Sequence, residues 1–380
     1  MEIATTGNST DFGNLTYGRA IKDVGCSSAT RALFGGGYIV GSGDSNAIDF
    51  VTISSGGGAN DFGNLNVATL RDGGKVCNST RGIWASGQII PSTSPGTTNI
   101  IQFVTMATTG NATDFGDLTK DRRDAYGVQS STRGVFAGQE TKSPSSAAVN
   151  ILDFITIATT GNAQDFGDMI ENGNVSASGS SSTRGIYAGG GETDANSNTI
   201  SFITIATKGN AENFGDLTQA IGNSSGTSSQ TRFIRAGGRT PSLTVTTDFV
   251  TISTTGNATD FGDMTFAHTQ GTGCSNATRG LFFGGRAAPT NYNSIEFITI
   301  ASTGDATDFG DLSSTGNQAN ATASQTRGVH VAGNPASAPL FQNNTLSFLT
   351  IASTGDASDL GDVYAARSRR STSDCHGGLS

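Results

Sequence analysis

A chain of 380 residues with 53 Gly, 7 Pro and 14% charged side chains is poor in helix formers and reads as all-β. Its net charge of −9, with no basic run except Arg367, Arg369 and Arg370, argues against a nucleic-acid partner. No apolar run approaches the roughly 18 residues that a membrane-spanning helix needs, so no membrane insertion is expected.

In chain order, the sequence begins inside a phrase that then recurs. ATTGNSTDFGNL starts at Ala4, and related phrases start at Ser54, Ala107, Ala158, Ala206, Ser253, Ala301 and Ala352. The chain enters the repeat at once, so no signal peptide is expected. A second phrase of the form TRGVFAGG starts at Thr30, Thr80, Thr132, Thr183, Thr231, Thr278 and Thr326. The copies are spaced by about 47 to 53 residues, which marks a repeat architecture.

Each unit divides into four strand candidates. In the third full unit they are Tyr126 to Ser130, Gly134 to Ala137, Ile151 to Thr159 and Asp165 to Met169. The third strand alternates Phe154 and Thr156 with Ile155 and Ile157, so both of its faces are expected to be buried. Radially stacked sheets bury both faces, and the prediction is a β-propeller of four-stranded blades, a single domain over 1–380. Turn chemistry supports the division. Gly161-Asn162 suits a hairpin needing positive φ, Gly-Gly follows the second strand, and the first Asp of D-F-G-D is placed to cap its turn.

The tail from Tyr364 supplies a first strand and the start of a second, which are the pieces that the N-terminal segment lacks. Residues 1–16 and 363–380 are therefore expected to form a closing blade together, making eight blades joined by pairing of N- and C-terminal strands. Seven blades with a redundant half-motif is the alternative.

A strand ending in Gly-Gly, a following strand such as NILDFITI, an aromatic-bearing outer strand and then a basic residue such as Arg71 or Arg123 together resemble the kelch repeat of galactose-oxidase-type propellers. Phe12, Phe62, Phe115 and Phe166 stand where eukaryotic kelch repeats carry Trp, and Leu360 stands there once. The repeat phrases TRGVFAGG and FITIATTGNATDFGDLT also resemble structural and tail-fibre proteins of marine cyanophages. That resemblance implies a virion-associated, non-enzymatic adhesion protein that recognises a host surface glycan or receptor. The alternatives are a structural subunit bound to other virion proteins, and a glycan-cleaving enzyme on the same scaffold.

Alternating strand direction places the constant one-to-two and three-to-four turns on one face. The variable two-to-three loops and the four-to-one connections fall on the other face, where recognition is expected. Candidate ligand contacts in or beside these loops are Ile89, Ile90, Arg239, Arg286, Tyr292 and Phe341. The repeated Thr-Arg gives Arg31, Arg81, Arg133, Arg184, Arg232, Arg279 and Arg327. A ring of arginines suits carboxylates or phosphates, but its presence in every blade favours a structural role, with each Arg pairing a repeated acid such as Asp114 or Asp165.

No catalytic residues, cofactor or metal are expected. His268, His330 and His376 fall in different blades, and no Ser-His-Asp or Cys-His spacing occurs. The copper-binding His and Tyr cluster of galactose oxidase has no counterpart. Turn chemistry accounts for the oxygens of Asn111, Asp114 and Asp117 without Ca²⁺. Cys26, Cys77, Cys274 and Cys375 lie near one phase of the repeat, on the expected innermost strand, and read as free thiols.

Overall fold

A computed structural model describes residues 25–362, except 40–42, 56–57, 69–72, 90–95, 124, 139, 142–146, 173–174, 191–195, 314, 317–319 and 332–344. Seven four-stranded antiparallel sheets follow one another along the chain, spanning 25–64, 74–122, 126–168, 175–221, 225–263, 272–311 and 320–362 (blades 1 to 7). In blade 3 the strands are Tyr126–Gln129, Arg133–Ala137, Ile151–Thr156 and Gln164–Asp168. Each falls within two residues of its expected start, and the third strand ends earlier because the chain turns at Ile157. The first strand of every blade contacts the first strands of both neighbours, which places it at the ring axis. The inner strands are rich in Gly, Ser and Thr and are buried at every position but the half-buried Gly127. Cys26, Cys77 and Cys274 are buried on these strands.

Among the described residues the ring has seven blades. Blade 7 packs directly on blade 1: Val329, Val331 and Leu346 share one apolar cluster with Leu33, Ile48 and Val51. The Thr322 and Ser27 hydroxyls meet at 2.7 Å, and Arg327 Nη1 donates to the Ile53 carbonyl at 2.8 Å. No strand of blade 7 pairs with a strand of blade 1 among the described residues, so packing and side chains close the ring. This corrects the expectation of eight blades closed by terminal strands. The place for an eighth blade, between blades 7 and 1, is taken by their direct contact, and residues 1–16 and 363–380 lie outside the described residues.

The constant phrase D-F-G-D/TTGN joins the blades at their outer edge. At the six interfaces from blades 1/2 to 6/7, the TG glycine donates its N–H to the D-F-G phenylalanine carbonyl of the preceding blade, as Gly161 does to Phe115 at 2.7 Å. The next side chain helps: Asn162 Oδ1 accepts the Asp117 N–H at 3.1 Å. That is the use of the asparagine, which was expected to supply a positive φ to the hairpin; only Gly161 does so, with φ 152°. Gly116 has φ 141°, and a Cβ there would fall 2.5 Å from the Gly161 carbonyl oxygen, so the close approach of the two chains requires glycine. The first Asp of the phrase caps its turn as expected: Asp165 Oδ1 accepts the Gly167 N–H at 3.2 Å.

Candidate functional site

The seven repeated arginines sit half-buried at the start of the second strands, on the constant face. Each guanidinium lies over the third-strand phenylalanine of its own blade, from 4.4 Å at Arg81 over Phe103 to 4.9 Å at Arg327 over Phe348. Each then donates to a backbone carbonyl at the end of the third strand in the next blade: Arg31 to Met106, Arg81 to Ile157, Arg133 to Ile205, Arg184 to Ile252, Arg232 to Ile300, Arg279 to Ile351 and Arg327 to Ile53. The partner is therefore a carbonyl, not the repeated acid that the sequence suggested; Asp114 and Asp165 hold the N–H groups of Gly116 and Gly167 instead. Below the arginine, the third- and fourth-strand phenylalanines meet edge-on, as in Phe154 with Phe166 at 5.9 Å.

Arg327 staples the closing interface, so its loss should be felt by the whole ring. Arg327→Met should cost about 2 kcal/mol, because the Ile53 carbonyl loses a charged donor and Phe348 its cation. Urea unfolding reads this directly; an unchanged midpoint would show that the staple contributes nothing.

The opposite face carries the long two-to-three loops. In four blades these loops fold into short hairpins: Tyr38–Ile39 with Gly43–Asp44, Glu140–Thr141 with Ala147–Ala148, Arg239–Thr240 with Ser242–Leu243, and Arg286–Ala287 with Thr290–Asn291. The four-to-one connections lie beside them, as expected. Gly222 bridges to Arg239 and Thr269 to Arg286 in antiparallel backbone pairs.

Blades 5 and 6 place several of the candidate residues together. Gly238 donates its N–H to the His268 carbonyl at 2.8 Å, and Arg286 donates its N–H to the Thr269 carbonyl at 2.8 Å. Two consecutive residues, His268 and Thr269, thus tie the loops of adjacent blades and hold Arg239 and Arg286 on either side of one connection. Both arginines are exposed. Neither guanidinium forms an ion pair among the described residues. Tyr292 is half-buried, with its ring 4.2 Å from that of Phe266, which in turn lies 4.9 Å from His268. His268 is buried; burial lowers its pKa, offset in part by its Nδ1 contact with the Phe266 carbonyl at 3.1 Å. Gly285 makes room for this ring: a Cβ there would lie 2.4 Å from His268 Cδ2. Phe266 belongs to a four-to-one connection, outside the variable two-to-three loops, so nothing in the sequence marks it as part of this cluster. Ile89 is half-buried in blade 2 and far along the chain from this cluster; Ile90 and Phe341 lie outside the described residues.

Compared with known proteins, the chain matches no family model and no curated protein. The kelch and cyanophage resemblances therefore gain no support there, and the β-propeller fold stands on the structure itself.

Among the described residues no group of three His, Cys, Asp or Glu is placed to hold a metal ion. His330 is buried in blade 7 and stacks on Phe283 of blade 6, with ring centroids 5.3 Å apart. His376 and Cys375 lie outside the described residues.

Proposed function

We propose that the chain is a non-catalytic recognition module that binds an acidic surface glycan through the loop face of blades 5 and 6. The observation that carries this reading is the pairing of two exposed guanidiniums, Arg239 and Arg286, with the half-buried Phe266–Tyr292 pair on one backbone-braced connection. Guanidinium takes carboxylate or sulfate oxygens in a fork, and an aromatic face takes the C–H face of a sugar ring. The acidic chain elsewhere, at −9 overall, would repel such a ligand, which favours a local basic patch as its landing point. A place on a phage particle, as a tail-fibre or adhesion protein contacting its host, rests on the sequence resemblance alone and belongs to the same proposal.

A glycan array with acidic and neutral members tests the reading. Acidic glycans should bind in a salt-sensitive manner, and Arg239→Ala with Arg286→Ala should weaken them by about tenfold or more. Equal binding of neutral glycans, or no effect of the double substitution, would remove the basis for it.

A further inference from the structure

The seven first strands crowd together at the ring axis through one column of small residues: Gly25, Gly127, Ser178, Gly226, Gly273 and Ala321. A Cβ at Gly127 would fall 1.9 Å from the Lys75 carbonyl oxygen, and one at Gly273 would fall 2.7 Å from that of Gly226. In blade 2 this column carries Lys75, the one charged side chain on the seven first strands. The column one residue earlier reads Gly74, Tyr126, Ala177, Ser225 and Thr272, and in blade 7 it carries Asn320.

These two departures from the repeat meet each other. Lys75 Nζ lies 3.3 Å from Asn320 Oδ1, although blade 1 stands between blades 7 and 2. Gly25 of blade 1 leaves the way open, since a Cβ there would lie 3.4 Å from Asn320 Oδ1. Both side chains are buried, Lys75 at 3% exposure and Asn320 at 1%. Asn320 Nδ2 has no hydrogen-bond partner in the protein. With a C=O bond of about 1.23 Å, the Lys75 amine lies within about 4.5 Å of the amide carbon Cγ.

We propose that Lys75 and Asn320 join in an intramolecular isopeptide bond that locks the ring covalently. The amine of Lys75, in its neutral form, attacks Cγ of Asn320. The Nζ–Cγ bond forms, the Cγ–Nδ2 bond breaks, and one proton passes from Nζ to Nδ2. An amine and a carboxamide thus become a secondary amide and ammonia, with no oxidant, reductant or cofactor. Two features favour the step: the reacting groups are held together by the fold, and burial keeps competing water away. The place gives the bond a purpose. No strand pairing joins blade 7 to blade 1 among the described residues, and a link from blade 7 to blade 2 spans that junction. It also closes a loop of 245 residues, which constrains the unfolded chain. The linkage is separate from the blade 5 and 6 patch and does not rest on the glycan reading.

The test is mass spectrometry of the full chain, purified folded and then denatured. The parent should weigh less than its sequence by one ammonia, whereas Lys75→Arg and Asn320→Ala should each weigh what their sequences require. Tryptic digestion of the parent should yield a branched peptide that joins residues 72–81 to residues 287–327 and is uncleaved after Lys75. That peptide separates the linkage from loss of ammonia by cyclisation at another asparagine, and it is read on the parent alone, whether or not the variants fold. On a denaturing gel the looped parent should run ahead of both variants. A parent mass equal to that of the sequence, or complete cleavage after Lys75 with no branched peptide, would overturn the proposal and leave the pair as a hydrogen bond.

Discussion

Asp153→Ala should destabilise the ring by about 3 to 5 kcal/mol, the range for leaving one member of a buried ion pair without its partner. Arg122 Nη2 and Asp153 Oδ2 lie 2.6 Å apart, and neither side chain is exposed. Burial alone pulls the Arg122 pKa down, and the adjacent Asp153 carboxylate offsets this. Removing the carboxylate strands a guanidinium that already has Nε and Nη1 without partners. The reverse substitution should cost less. In Arg122→Met the carboxylate keeps the Thr119 N–H at 3.1 Å and the Thr119 hydroxyl at 2.7 Å. The double substitution Arg122→Met with Asp153→Ser, which copies the serine that blade 4 carries at Ser201, should recover most of the loss, because an apolar side chain suits the slot as well as a paired charge does. Urea unfolding of the parent, Arg122→Met, Asp153→Ser and their double gives the cycle, with Asp153→Ala measured beside them. A loss below about 1 kcal/mol for Asp153→Ala would show that water reaches the slot and that the pair is an ordinary surface contact.

The same slots show what the sequence displayed and what it hid. The repeat was plain because TRG and DFGD recur at constant phase, and those residues do one job at every interface. Arg133 spans to the next blade, Gly116 lets two backbones approach, and Asp165 closes a turn. Strand order, the position of the innermost strand and the division into a constant and a variable face all follow from that constancy. The blade count did not, because the terminal half-motifs invite an eighth blade, whereas closure depends on whether Val329 and Leu346 of blade 7 meet Ile48 and Val51 of blade 1 in space. The arginine's partner was also hidden, since a backbone carbonyl about 70 residues away leaves no side-chain signature. The third-strand polar position, which reads Asp49, Gln102, Asp153, Ser201, Asp248, Glu296 and Ser347, was visible as a column but had no evident purpose until the next-blade donors were in place.

Acid should destabilise the ring through His330, and His330→Phe should remove much of that sensitivity. The side chain is 3% exposed, with neither ring nitrogen hydrogen-bonded, and burial depresses its pKa to about 3. The unfolded chain binds this proton near pH 6.5, the folded chain only near pH 3, so between those values the unfolded state holds more protons and stability falls as pH falls. One such site gives a slope of about 1.4 kcal/mol per pH unit in that window, and no effect above it. His268, depressed by burial as well, adds to the slope. Glu296 opposes it: burial raises its pKa, so it takes up a proton more readily in the folded chain, and its contribution improves as pH falls through that raised value. The strand-two position of His330 is filled by Phe34, Trp84, Phe136, Tyr187, Arg235 and Phe282 in the other blades, so phenylalanine should fit there and keep the stack with Phe283. Unfolding free energies at pH 7.5, 6, 5 and 4.5 should run nearly parallel for the two chains above pH 6.5 and diverge below it, with His330→Phe the shallower. Equal slopes in the acid window would mean that the imidazole is reached by water or acquires a proton acceptor, and that acid acts on the ring through other groups.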